Sequence, residues 1–170
     1  MHRWRTYVHV LVAFAALGVV ANDERTGAAQ APAGEPPAMT RDVMVPMRDG
    51  VRLATDIYFP AKNGIALEGR RPVILERTPY RKSAMLYMTT PFLQNGYIVI
   101  LQDVRGRYGS EGRWRPLRDD VNDGVDTARW IGSQPWSDGS IGTMGSSYDG
   151  GTQHALAIGN APYVKAMFAR

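Results

Sequence analysis

Cysteine is absent from the 170 residues of this chain. Its absence excludes disulfides, thiolate metal sites and thiol nucleophiles, and leaves no residue to carry the lipid of a tethered lipoprotein. A strong excess of one charge is missing too: 20 Lys and Arg stand against 16 Asp and Glu, a net charge of +4. Two of the cations, Arg3 and Arg5, lie in an N-terminal segment that reads as removable. The small surplus left over predicts no binding to nucleic acid or to an anionic membrane. No apolar run reaches the roughly 20 residues that a membrane-spanning helix needs. What is present, 44% hydrophobic and 21% charged residues, is the composition of an ordinary globular α/β protein.

The N-terminus has the three zones of an export signal: a basic start (His2, Arg3, Arg5), the apolar run YVHVLVAFAALGVVA over 7–21, then small and polar residues. It predicts a signal peptide over 1–21 cleaved after Ala21, with Ala29 and Ala31 as alternative sites, and so a secreted or periplasmic protein. The rival interpretation is a membrane anchor. The run is short for that, so no stable insertion is expected once the signal is removed. Residues 22–39, rich in Ala, Gly, Pro and Gln without periodicity, predict a flexible linker to a domain over 40–170.

From residue 41 the pattern turns strand-like. VMVPM (43–47) and VRLATDIYF (51–59) flank Arg48-Asp49-Gly50, and an Asp-Gly pair between two such runs predicts an antiparallel hairpin. PVIL (72–75) and YIVIL (97–101) suit buried strands. Between them a helix is predicted over 83–95, with Ser83 as its cap and Asn95-Gly96 as its stop. After an Arg- and Gly-rich loop, Val121, Val125, Ala128 and Ile131 recur on one helical face. Asp119, Asp120 and Asp123 lie at the start of this helix, where acids complement its dipole. A short strand over 140–144, a helix over 147–158 ending at Gly159-Asn160, and a last strand over 163–169 complete the order. A hairpin followed by alternating strands and helices predicts an α/β fold with an open, largely parallel sheet. The last strand should leave an unpaired hydrophobic edge.

The strand-to-helix junction at Gly145-Ser146-Ser147-Tyr148-Asp149-Gly150 is where the chemistry concentrates. A serine hydroxyl is a poor nucleophile unless a base takes its proton and a rigid turn aims its oxygen. Gly145 permits a sharp turn, Gly150 and Gly151 let a helix start close to the sheet, and the helix N-terminus offers backbone N–H groups to an oxyanion. Ser147 is therefore the candidate nucleophile. Ser146 competes less well, because the residue two before it is Met144, whose side chain obstructs the turn. The pattern departs from G-x-S-x-G, since Asp149 stands where the second Gly would be. Two alternatives stay open on these residues alone: a noncatalytic α/β binding domain, and a nucleotide-binding domain. The second lacks a G-x-G-x-x-G run and a phosphate-binding lysine.

Three segments together carry a family likeness: RTPYRK (77–82), ILQDVRGRYGSEG (100–112) and QPWSDGSIGTMGSSYDGGTQ (134–153). In this order they resemble the cocaine esterase, Xaa-Pro dipeptidyl-peptidase and α-amino acid ester hydrolase family, whose nucleophile motif G-x-S-Y-x-G the run at 145–150 matches at every fixed position. The resemblance covers roughly 40–170. It implies the opening part of an α/β-hydrolase fold and acyl transfer from an ester or amide of a small molecule or peptide to water. It also implies no metal and no organic cofactor. Ser147 would be the nucleophile, with the backbone N–H of Tyr148 and the hydroxyl of Tyr80 as oxyanion donors. Without the likeness, Tyr80 reads as an ordinary loop aromatic packed at a strand end.

A serine hydrolase also needs a carboxylate and an imidazole, which in this fold follow the serine in the chain. His154 is the one histidine after Ser147, and seven helical residues carry it about 10 Å along the axis, away from the elbow. It reads as a helix-face histidine. Asp149 does not face Ser147 and reads as charge compensation at the helix N-terminus. Asp103 precedes the serine and has a structural place in the DVRG turn by the family likeness. The domain is thus expected to be truncated before the triad Asp and His. The loop over 105–118 interleaves arginines with Tyr108 and Trp114, which a single strand of nucleic acid could use. The match to the family run makes it a surface loop at the ligand-facing edge of the sheet instead.

Overall fold

In the computed structural model, residues 38–170 are described. The signal peptide expected over 1–21 and most of the linker lie outside the described residues. The last two linker residues, Ala38 and Met39, already belong to a strand, so the ordered domain begins slightly earlier than composition implies.

Strands β1 (Ala38–Pro46) and β2 (Arg52–Phe59) form the expected hairpin, closed by the Gly50 N–H donating to Met47 O at 2.9 Å. A two-stranded ribbon follows, β3 (Ala61–Lys62) with β4 (Ile65–Ala66), around Asn63-Gly64. Both turn residues have positive φ, 53° and 74°, as a tight hairpin demands. The Asn-Gly signal is in the sequence, but flanking runs of two residues carry no readable strand pattern.

The remaining strands are β5 (Arg71–Thr78), β6 (Ile98–Asp103), β7 (Ser137–Gly145) and β8 (Val164–Ala169). The main sheet runs β1-β2-β6-β5-β7-β8, antiparallel across its first two junctions and parallel across the rest. β5 is therefore central, and its C-terminal end delivers the Tyr80 loop beside the end of β7. β8 forms an edge, with Met167 and Phe168 exposed.

The helix expected over 83–95 is two pieces: a 3-10 helix (Lys82–Met88) and α1 (Thr90–Gln94). Ser83 lies inside the first piece and is not its cap; Arg81 holds that position without a side-chain cap bond. The break falls at Thr89, where a β-branched pair precedes Pro91. The Thr89 hydroxyl bonds back to Leu86 O at 2.8 Å, and the proline has no N–H to continue a single helix. The stop at Asn95-Gly96 is where it was expected, with Gly96 at φ 81°. α2 (Asp120–Ser133) begins and carries its apolar face where expected, and α3 (Tyr148–Ile158) matches its predicted span closely.

The sheet buries apolar side chains on both faces. On one, Val73, Leu75, Ile98, Ile100 and Ile141 pack with Ala128 and Ile131 of α2 and Leu156 of α3. On the other, Ile74, Val99, Leu101 and Met144 meet Met85, Met88 and Phe92 from the 3-10 helix and α1. One cation lies within the first layer. Arg77 of β5 is 1% exposed and donates to Gln102 Oε1 at 3.0 Å, Asp120 O at 3.0 Å and Asp120 Oδ1 at 3.3 Å. It thereby ties the central strand to the start of α2. Arg77→Leu should destabilise the protein by about 3–5 kcal/mol in denaturant unfolding, because it strands the buried Asp120 carboxylate. Arg115→Ala, which removes only the exposed pair with Asp119, should cost about 0.5 kcal/mol or less.

Candidate active site

β7 runs into α3 through a two-residue junction, Ser146-Ser147, and both serines are exposed. Ser147 has φ 57° and ψ −124°, a backbone state that a non-glycine residue adopts at a cost of about 1–3 kcal/mol. Gly145 makes it possible: a Cβ there would stand 2.5 Å from Cβ of Asp149, so no other residue fits the closure of strand onto helix. Gly150 is tight but less constrained: its Cβ would meet Arg170 O at 3.1 Å, a contact that a shift of a few tenths of an ångström relieves. The elbow is clamped to the chain after β8. Ser147 N–H donates to Arg170 O at 2.9 Å, and Arg170 N–H donates to Gly145 O at 3.1 Å. Gln153, 1% exposed, reinforces the clamp by donating to Gly145 O and Phe168 O, both at 3.2 Å, while accepting from the Thr143 hydroxyl at 2.8 Å.

The structure brings Tyr80 to Ser147: the two hydroxyl oxygens are 3.3 Å apart. Almost every peptide around Tyr80 is pinned. Its own N–H donates to Thr78 Oγ1 at 3.1 Å, Pro79 O accepts from Arg107 Nε at 3.1 Å, and Lys82 N–H donates to Asp103 Oδ1 at 2.7 Å. Asp103 also accepts from Gly109 N–H at 3.3 Å, and burial, the largest influence, raises its pKa above the ordinary carboxylate value. It holds the turn, as the sequence implied, and is not free for other work. The loop after β6 is likewise a brace. Arg105 pairs with Asp49 and Asp123, and the Arg107 guanidinium lies 4.7 Å from the Trp114 ring centroid and 5.1 Å from that of Tyr108.

Tyr148 points away from Ser147. Its hydroxyl donates to Asp120 Oδ2 and accepts from Leu117 N–H, both at 2.8 Å, so only its backbone amide is available at the elbow. Burial and then the Asp120 contact raise the phenol pKa. His154 is exposed on α3, as expected of a helix-face histidine. Asp149 departs from its expected role. It is 3% exposed, too deep for a solvated partner of the helix dipole, and lies beside Glu76 of β5. Glu76 and Gln153 escape sequence reasoning because nothing local marks them: each gains its role from a partner on another element.

Ser147 and Tyr80 stand on the rim of a cavity of about 720 Å³. Met144, Phe92 and Phe168 give it apolar walls, and Glu76 and Asp149 lie in its lining. Chemically, this arrangement presents a strained, exposed hydroxyl beside a neutral phenol and at the N-terminus of a helix. Such a site suits charge developing on an oxygen more than binding of an existing anion. No group of three or more metal-ligating side chains occurs among the described residues, and no helix among them is long and apolar enough to cross a membrane.

Residues 49–170 match the family model described as X-Pro dipeptidyl-peptidase (S15 family). The chain is 42% identical over 136 residues to the cocaine esterase of Rhodococcus sp. (strain MB1 Bresler), a match covering 76% of this chain and 23% of that protein. Among solved structures, an α-amino acid ester hydrolase superposes with a TM-score of 0.68 at 30% identity, covering 88% of this chain and 28% of the other. An aminopeptidase from a marine sediment Thaumarchaeota archaeon gives 0.65 at 33%, covering 76% and 25%. The architecture is thus part of an α/β-hydrolase fold, and the chain spans about a quarter of the length of these relatives.

Gly145→Ala should destabilise the protein by at least about 2 kcal/mol in denaturant unfolding, since the added carbon forces Asp149 and the elbow apart.

Proposed function

Because the chain belongs to the X-Pro dipeptidyl-peptidase (S15) family of hydrolases, we propose that Ser147 is the nucleophile of a serine hydrolase that transfers the acyl group of an ester or amide to water. The observation that carries this is the 3.3 Å approach of the Tyr80 hydroxyl to Ser147 Oγ at a positive-φ elbow. Ser147 Oγ attacks the carbonyl carbon and gives its proton to a base. The carbonyl oxygen becomes an oxyanion, held by the Tyr80 hydroxyl and the Tyr148 N–H. Collapse releases the alcohol or amine, which leaves with the proton, and water then cleaves the acyl-serine by the same steps in reverse.

A tyrosine suits the second donor position, because a phenol supplies a hydrogen bond without a charge that would bind the ground state as strongly as the transition state. The base and its orienting carboxylate are assigned to polypeptide beyond residue 170. His154 lies along α3 and Asp103 is engaged in its turn, and relatives of this family are about four times as long as the region they share with this chain. The substrate is an ester or amide of a small molecule or peptide. The export signal read over 1–21 supports a location outside the cytoplasm.

In the full-length protein a fluorophosphonate probe should label Ser147, and Ser147→Ala should abolish labelling; labelling that survives would sink the assignment. A noncatalytic binding domain would take no label at all. Tyr80→Phe should lower kcat by about 10²–10³-fold while KM changes little, as loss of a single oxyanion donor does.

A further inference from the structure

Glu76 and Asp149 reach one point beneath the elbow from two directions. Glu76 lies on β5 between Ile74 and Thr78, on the face that lines the cavity, and Asp149 is in the first turn of α3, two residues past Ser147. They are 2% and 3% exposed and close enough for the charge of Asp149 to act on Glu76. Each has a buried oxygen without a partner, Glu76 Oε2 and Asp149 Oδ1, and neither forms an ion pair among the described residues. Two neighbouring buried carboxyls cannot both ionise cheaply. Burial first, then the neighbouring Asp149, pushes Glu76 up to about 8, and burial pushes Asp149 up to about 6. Near neutrality the pair therefore holds one proton.

Thr78, next along the same face of β5, stands beside Asp149, and its Oγ1 accepts the Tyr80 N–H at 3.1 Å. A line of polar groups thus runs from Glu76 past Asp149 and Thr78 to the backbone of Tyr80. We infer that Glu76 and Asp149 hold one proton between them and so fix the Ser147 elbow against β5, the strand that leads into the Tyr80 loop, which makes both positioning residues for acyl transfer. The inference rests on Ser147 being the nucleophile.

Other ionisable groups around the pair are few. Tyr80, Tyr87 and Arg170 line the same cavity. On β6, Leu101 lies beside Glu76 in register, and Asp103, beside Thr78, is bound by the Lys82 and Gly109 amides. β7 contributes only Gly142, Thr143, Met144 and Gly145, none of them ionisable. Once the shared proton leaves, like charge pushes β5 from the first turn of α3. Both folded pKa values lie above their unfolded values near 4, so the folded state binds more protons than the unfolded one from about pH 4 to 8. Stability falls as pH rises through that window and levels off above it.

The test is steady-state hydrolysis of a p-nitrophenyl ester by the full-length protein between pH 6 and 10, with Ser147→Ala alongside. Wild-type kcat should fall at least about tenfold above pH 8 with KM nearly constant, since misplacement by an ångström has that scale of effect. Glu76→Gln, which keeps a donor that cannot ionise, should hold kcat at pH 7 within about threefold and move the alkaline fall up by more than about one pH unit. Asp149→Ala, which removes one carboxyl of the pair, should lower kcat at least about tenfold at every pH with KM within about threefold. An unchanged alkaline fall in Glu76→Gln, or wild-type kcat in Asp149→Ala, overturns the inference. If Glu76→Gln does not fold, the wild-type profile decides, and a flat kcat from pH 7 to 10 overturns it. Turnover surviving in Ser147→Ala overturns the nucleophile assignment and this inference together; turnover lost there with unaltered pair variants overturns this inference alone.

Discussion

The closure of β7 onto the first turn of α3 governs everything else at this site. With a hydrogen in place of a side chain at Gly145, the helix begins close enough that Asp149 packs where a Cβ would have been, at 2.5 Å from that position. That closeness forces Ser147 to φ 57°, and the forced backbone turns its side chain outward to the cavity rim. The strain is local and is opposed by bonds that a strand or helix alone would not make: the exchange of Ser147 and Arg170 with their opposite carbonyls, and the three-way grip of Gln153. An aimed hydroxyl is thus a consequence of packing, and the neighbouring β8 is as necessary to it as the glycine.

The second half of the site is imported from the centre of the sheet. β5 carries three alternating residues on the cavity face, Ile74, Glu76 and Thr78, and then turns into Tyr80. Its opposite face carries Arg77, bound to Asp120 of α2, and Asp120 in turn accepts the Tyr148 hydroxyl. Tyr148 therefore has a mechanical task in its side chain and offers the site only its amide. The DVRG turn completes the frame by holding Pro79 O and Lys82 N–H. Motifs far apart in the sequence are parts of one bracket around two hydroxyls.

Much of this is legible in the amino-acid sequence. Apolar runs bounded by turn signals locate all six main strands, and helical periodicity with flanking caps locates α2 and α3. The elbow announces itself through glycines whose spacing only a sharp turn requires, and family likeness singles out Tyr80, whose nearness to Ser147 no local pattern encodes. The failures share a cause. The break at Thr89 depends on a hydroxyl bonding back to Leu86 and on Pro91 together, and the β3–β4 ribbon is too short for alternation to register. Asp149 reads from sequence as charge compensation at a helix start. The packing of α3 onto β7 and onto β5, whose Glu76 lies over 70 residues earlier in the chain, buries it.

The role of the elbow stands or falls on where an oxygen goes when Ser147 carries an acyl-like group. A crystal structure of the full-length protein phosphonylated at serine answers this directly. The adduct is predicted on Ser147, with its phosphoryl oxygen about 2.7–3.1 Å from both the Tyr80 hydroxyl and the Tyr148 amide. An adduct on Ser146, or one on Ser147 whose oxygen turns to solvent away from both donors, would contradict it.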